Sequence, residues 1–280
     1  MGHQSSTLGP VSADLDPVRL RETYDAQLRA WIPDRLPPGA SVEHDGPLVR
    51  ISGLDERGFV TYRSVAQLEP AELDALIARQ RDVYAAAGLA VEWKLHGHDE
   101  PPDLADRLRA AGFEPEEQET VLIGLAEPLA DADPPLPDGV RLREVTERAD
   151  LDRIAAMESA VWDSDRSFLA TALEQELTAA PTGTTVVLAE TSAGECVSAG
   201  WIRYITGTAF GTIWGGSTLP AWRRRGIYKA LVCYRAHLAT QRGLSLLQVD
   251  ASDDSRPILQ RCGFVPVTTT TPYVHTPSDD

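Results

Sequence analysis

Chemistry concentrates in one segment of this chain. Gly215-Gly-Ser-Thr-Leu-Pro-Ala-Trp-Arg-Arg-Arg-Gly-Ile-Tyr-Lys-Ala-Leu231 carries three successive arginines, with Gly226 directly before a stretch of helical period. A helix start leaves several amide hydrogens without partners and adds the positive end of the helix dipole, so the junction is built for an anion. Gly226 lets the backbone approach a phosphate closely, and the arginines supply charge. The rest of the chain opposes such a ligand: 42 acidic against 26 basic residues give a net charge of -16. That balance excludes a nucleic-acid or anionic-membrane partner over most of the surface, and a polyanion needs this local exception.

The glycines ahead of the loop sharpen the ligand. Gly215 and Gly216 are adjacent in a strand-like run, where glycine marks a bulge or a close backbone approach, and a strand that parts from its neighbour offers amides to an extended ligand. A diphosphate joined to a peptide-like arm is coenzyme A. Attack on its thioester builds charge on the carbonyl oxygen, which a backbone amide near Thr218 or Leu219 is placed to stabilise.

Other candidates are sparser. Asp250 ends the apolar run from Leu244 to Val249 and is a candidate general base; alternatively Asp250, Asp253 and Asp254 cap the next helix. Tyr273 is a candidate proton donor, or a strand tyrosine packed by its ring, and Glu158 faces an acceptor or simply solvent. His96 and His98 share one side of a strand, yet lack further ligands at a metal-site spacing, and no metal is expected. Trp201, Trp214 and Trp222 read as core or cleft wall. Cys196, Cys233 and Cys262 form no Cys-x-x-Cys pair and suit buried apolar positions.

The elements that hold these residues are readable from period. Val140 to Val145 alternates as a strand, Leu151, Ile154, Val161 and Trp162 fall at helical spacing, and a helix covers Phe168 to Leu177. Thr185 to Ala189, Cys196 to Tyr204 and Phe210 to Leu219 read as a three-stranded antiparallel meander. Ile227, Ala230, Leu231, Tyr234 and Leu238 then form a helical face, as Leu73, Leu76, Ile77, Tyr84 and Ala87 do earlier. The chain looks duplicated: Leu108-Arg-Ala-Ala-Gly112-Phe113-Glu-Pro115 matches Leu259-Gln-Arg-Cys-Gly263-Phe264-Val-Pro266, each a helix end with a glycine cap followed by a core phenylalanine. This predicts an N-terminal tail over 1–15, a first domain over 16–126, a proline-rich linker over 127–139 and a second domain over 140–276. The tails, Met1 to Asp14 and Thr276 to Asp280, lack any period and are expected to be mobile. No apolar run is long enough to span a bilayer and no leader is evident, so the protein reads as cytoplasmic.

Pro220-Ala-Trp-Arg223-Arg-Arg-Gly226-Ile-Tyr228 resembles the Pro-x-x-(Gln/Arg)-x-x-Gly-x-(Gly/Ala) signature of the GNAT superfamily of N-acetyltransferases. The resemblance implies an α/β fold of two tandem GNAT-like domains, each a mixed, mostly antiparallel sheet flanked by helices, similar to tandem acetyltransferases of the mycothiol synthase type. It implies acetyl-CoA as acyl donor, with Arg223, Arg224, Arg225, Gly226, Ile227, Tyr228 and Lys229 at the pyrophosphate and Ser217, Thr218 and Leu219 at the pantetheine arm. It implies a small-molecule amine acceptor, which the acidic surface would favour as a cation. Two positions depart from the pattern: Tyr228 replaces the small final residue, and Leu259 stands where many members place a tyrosine acid. The first half opens its helix with Glu69-Pro-Ala-Glu-Leu-Asp, carboxylates where phosphates would sit, and reads as a degenerate copy. The alternatives are an acyl-CoA sensor or scaffold, or an acyl-CoA hydrolase or decarboxylase. The oligomeric state is not legible.

Overall fold

The computed structural model of the chain describes residues 15–33, 36, 39–53 and 57–277. The tail expected over residues 1–14 lies outside them, as do residues 278–280. The first half runs α1 (Pro17–Gln27), β1 (Ser41–Asp45), β2 (Leu48–Ser52), β3 (Gly58–Tyr62), α2 (Pro70–Ala86), β4 (Val91–His96), α3 (Leu104–Ala110), β5 (Glu114–Pro115), β6 (Glu119–Leu125) and α4 (Ala126–Ala130). The second runs β7 (Val140–Val145), α5 (Arg148–Trp162), α6 (Phe168–Ala179), β8 (Thr184–Thr191), β9 (Cys196–Tyr204), β10 (Phe210–Thr218), a 3-10 turn (Pro220–Trp222), α7 (Ile227–Gln241), β11 (Leu246–Ala251), α8 (Arg256–Arg261) and β12 (Val265–His275).

The helix ends show the duplication at atomic detail. After α3 and α8 the chain closes the same reciprocal cap: Phe113 N donates to Leu108 O and Gly112 N to Arg109 O, while Phe264 N donates to Leu259 O and Gly263 N to Gln260 O. Gly112 and Gly263 take φ of +90° and +96°, which a side chain would resist. Leu108, Phe113, Leu259 and Phe264 are all buried, each leucine-phenylalanine pair anchoring its cap in the core of its own half.

Twelve strands form one sheet, mostly antiparallel, in the order β1-β2-β3-β4-β12-β6-β11-β10-β9-β8-β7, with β5 beside β12. The central strands are traded between halves. β6, from the first half, lies between β12 and β11, and β12, from the second, lies between β6 and β4. Glu114 and Pro115 pair with Val274 and Tyr273 of β12, just as Val265 and Pro266 pair with Ile123 and Leu122 of β6. The first half also has its own meander, β1 to β3, which sequence period missed: β1 is a short, largely exposed edge strand with polar residues at both ends.

Helices cover both faces. α7, α8 and α4 pack on Leu122, Val187, Ala189, Ile213 and Leu247, whereas α5 and α6 pack on the alternate residues Val186, Leu188 and Trp201. α1 lies on the face opposite α7, with Leu20 and Tyr24 against Val121, Ile123 and Leu246. Helix α4 occupies the start of the expected linker, because Ala126 and Leu129 are buried in the same core as α7.

Candidate functional site

The site begins where β10 and β11 part. They pair in parallel only from Phe210 with Leu246 to Thr212 with Gln248, after which β10 follows β9 alone through a bulge between Gly215 and Thr218. Gly215 and Gly216 have φ of +66° and +92°, so the adjacent glycines do mark the bulge. β11 continues beside β6, leaving a fork whose inner edge carries Asp250.

At the outer end of the fork lies the arginine loop. Arg224 holds φ at +61°, costly for a side-chain-bearing residue, and Gly226, the N-cap of α7, has φ +87°. Left-handed residues in such a turn aim successive amides into one concavity. The amides of Arg224 to Lys229 donate to no other described group. Arg223, Arg224, Arg225 and Lys229 are exposed, and none forms an ion pair with a described carboxylate. Arg223 Nε donates to Thr218 O at 3.0 Å, tying the loop to the bulge, and the Arg225 guanidinium stacks 4.9 Å from the Trp222 ring centroid. A Cβ on Gly226 would lie 3.1 Å from Pro135 O, so the segment after α4 closes one side of the loop.

The strand expected to hold an arm is partly engaged. Leu219 N donates to Val197 O at 3.0 Å, and Ser217 O accepts from Ser198 Oγ at 2.6 Å, so both backbone groups face β9. Leu219 therefore cannot supply the oxyanion amide expected of it. Thr218 presents its backbone to the open side, where its carbonyl meets Arg223. The Tyr228 ring rests on the bulge: a Cβ on Gly216 would lie 2.7 Å from Tyr228 Cε2. It therefore lies against β10, and burial raises the pKa of its hydroxyl. Leu259 is buried core, with no acid in its place.

Two groups that sequence reasoning undervalued flank the fork. Glu158, in the last turn of α5, is 4% exposed; Oε2 accepts from Ser217 Oγ at 2.7 Å and from Trp162 Nε1 at 3.0 Å, while Oε1 is buried without a partner. Burial raises its pKa against these two bonds. In sequence it looks like any solvated helix carboxylate. On the opposite face Arg235 is buried in α7 with no carboxylate, donating to Trp214 O at 2.8 Å and to Leu231 O at 3.0 Å, and burial lowers its pKa to about 10. A cation buried beside the fork favours negative charge developing there.

The two expected catalytic residues separate. Asp250 stands at the fork, but Oδ2 pairs with Lys94 of β4 and Oδ1 accepts from Gln248 Nε2 at 2.8 Å, so both oxygens are engaged. Burial works against the Lys94 charge, yet Asp250 outweighs it and holds the ammonium pKa above its usual value. Tyr273 is not at the fork: it is 3% exposed in the first half's core, opposite Trp93, because β12 carries it across to β4. His96 pairs with Tyr24 Oη at 3.0 Å, and His98 lies between Asp25 and Thr268.

The first half repeats the fork and fills it. β3 and β4 pair from Gly58 with Val91 to Val60 with Trp93, then part. Beyond that point Thr61 Oγ1 donates to Arg29 O at 2.6 Å, Tyr62 Oη donates to Asp99 Oδ2 at 2.6 Å, and the Arg29 guanidinium pairs with Asp99. Glu69 and Glu72 close the start of α2 by a reciprocal capping box. The fork is thus occupied by the first half's own side chains, with Arg29 Nε buried there without a partner.

Residues 151–264 match a family model described as the acetyltransferase (GNAT) family. In fold the chain is similar to a GCN5-related N-acetyltransferase from Kribbella flavida, with 19% identity, 94% of this chain and 96% of that chain covered, and a TM-score of 0.66. It is also similar to a tandem GNAT protein from the clavulanic acid biosynthesis pathway, with 15% identity, coverage of 88% and 86%, and a TM-score of 0.62. A GCN5-related N-acetyltransferase from Sphaerobacter thermophilus follows at 16% identity, 84% and 78% coverage and a TM-score of 0.54. No curated protein matches the chain in sequence. Among the described residues no helix is long and apolar enough to cross a membrane.

Proposed function

We propose, from the premise that residues 151–264 form a GNAT acetyltransferase domain within a tandem fold, that the protein transfers an acetyl group from acetyl-CoA to the amine of a small cationic acceptor. The observation that carries this reading is the set of amides from Arg224 to Lys229 that meet no described acceptor, held in a strained loop among four cations that pair with no described carboxylate. These residues fit a diphosphate, and acetyl-CoA bound there would supply the acyl group as a thioester.

The chain's own groups then divide the work. An ammonium of ordinary pKa costs about 4–5 kcal/mol to deprotonate at neutral pH. Glu158, whose Oε1 lacks a partner and whose pKa is raised, is the group suited to take that proton. The freed nitrogen forms the amide bond as the carbon–sulfur bond breaks, and its second proton goes to the leaving sulfur. Asp250 and Lys94 stand by as a neutral pair that fixes the inner edge of the fork. Arg235 favours the charge that develops on the thioester.

A thermal shift with CoA tests the loop: at about 100 times the dissociation constant the ligand adds roughly 2.7 kcal/mol of stability. Gly226→Glu is expected to abolish the shift. Thiol release from acetyl-CoA that depends on an added amine tests transfer; release without an amine would indicate hydrolysis.

One observation favours a second reading, a protein that keeps the fold without the transfer. The Tyr228 ring occupies the surface of Gly216 on the strand an arm would follow. On this reading CoA gives no shift with the native chain, and Tyr228→Ala creates one.

A further inference from the structure

Ser217, expected beside an extended arm, is engaged elsewhere. The bulge in β10 accommodates it: Gly215 pairs with Gly200 and Thr218 with Ser198, so β10 advances three residues while β9 advances two. Its carbonyl accepts from Ser198 Oγ at 2.6 Å, and its hydroxyl reaches α5, donating to Glu158 Oε2 at 2.7 Å. Helix α5 supplies a third member. Trp162 lies one turn beyond Glu158, and its Nε1 donates both to Oε2 and to Ser217 Oγ, each at 3.0 Å. The Arg166 guanidinium lies over the Trp162 ring, 5.3 Å from its centroid, and steadies the indole.

The direction of each bond follows from the atoms present. An indole N–H only donates, so Ser217 Oγ accepts from it and turns its own single proton to the carboxylate. Oε2 therefore receives two donors, while Oε1, equally buried, receives none. A carboxyl present only to satisfy the fold would have both oxygens bonded, because an unmet buried acceptor is costly. Burial raises the Glu158 pKa; the Ser217 bond first, then that of Trp162 and the charge of Arg166, oppose it by favouring the ionised form.

We propose that Ser217 is the positioning residue for the Glu158 base: with Trp162 it claims Oε2, and Oε1 becomes the atom that takes the acceptor's proton. The inference rests on the transfer reading above and deepens it. The donors at Oε2 hold the carboxylate in one orientation and keep it ionised until the ammonium arrives. The ammonium N–H bond then breaks, its electron pair stays on nitrogen, and the new O–H bond forms at Oε1 while Ser217 keeps its own proton. Without the Ser217 hydroxyl the base is still present but ionises at higher pH.

The test is a pH titration of tryptophan emission in the full chain, because the Trp162 indole bonds the carboxylate directly. The native chain should show a transition above the ordinary glutamate range that Glu158→Gln removes. Ser217→Ala should move its midpoint up by about one pH unit, the order of one hydrogen bond to a charged group, and Ser217→Thr should return it. In thiol release from acetyl-CoA with spermidine, glucosamine or lysine, Ser217→Ala should shift the pH dependence of kcat by the same amount and approach the native plateau at high pH. Emission without a Glu158-dependent transition, a midpoint that Ser217→Ala leaves in place, or a loss of kcat equal at every pH overturns the proposal. Should Ser217→Ala fail to fold, Ser217→Cys, similar in shape but a weaker donor, replaces it with the same expected direction. If emission behaves as expected and no amine releases thiol, the hold of Ser217 on Glu158 stands and the transfer reading falls.

Discussion

Glu158 sits near the end of a helix whose other carboxylates are an exposed Asp152 and an Asp150 paired with arginines, and nothing in its spacing marks it out. Only the fold brings Ser217 and Trp162 to one oxygen and leaves the other alone. Glu158→Gln is expected to lower kcat by about 10²–10³, the usual worth of a positioned base, and to flatten the rise of kcat/KM with pH. Its stability effect has a definite sign. The folded pKa is raised, so the folded chain binds the proton more tightly; the stability this contributes is complete below the unfolded value and is lost as pH rises through the folded one. The glutamine variant should therefore gain melting temperature over the native chain at pH 8 but not at pH 4. The arginine loop, by contrast, was legible as a special turn: a proline, three arginines and a glycine mark the place where the structure leaves amides unpartnered. Tyr273 was not, because its place depends on which half receives β12.

At the scale of elements, period gave the helices and strands of the second half nearly residue by residue. The polar clasp that holds them was invisible. Glu190 of β8 accepts from Arg141 at 2.7 Å, from Arg143 at 3.3 Å and from Arg153 at 3.0 Å, and Asp150 accepts from Arg143 at 2.8 Å, joining β7, β8 and α5. The Arg143 guanidinium first, then Arg141 and Arg153, lower the Glu190 pKa to about 2. A depressed carboxyl contributes stability above its unfolded pKa that is lost as pH falls through the folded one. Glu190→Gln should cost about 2–3 kcal/mol at pH 7, judged from charged hydrogen bonds, and progressively less in denaturant titrations taken from pH 5 down to pH 2. This is the opposite trend to that of Glu158. The strand exchange escaped the sequence for a related reason. Gly112 and Gly263 predict that a strand follows each helix, but pairing partners are set by the whole sheet and leave no local signal.

The two halves share one sheet, so the chain is expected to unfold as a unit despite its duplicated elements. Each half completes its sheet with a strand from the other, and Lys94 with Asp250 bridges the seam. Expression of residues 140–280 alone would expose the edges of β11 and β12 and should yield aggregated protein. The full chain should melt in one transition with equal calorimetric and van't Hoff enthalpies. Separate transitions in the calorimeter would show the halves to be independent.

The traded strands also explain how a half with a filled fork persists. Its own pocket can decay freely, since Arg29, Glu69 and Glu72 already block it, but β4 and β6 cannot drift without tilting β11 and the carboxylate it carries. A half without an open fork is still part of the shared sheet, and, on the proposed function, substitutions buried around Trp93 or Val121 should lower the transfer rate from a distance.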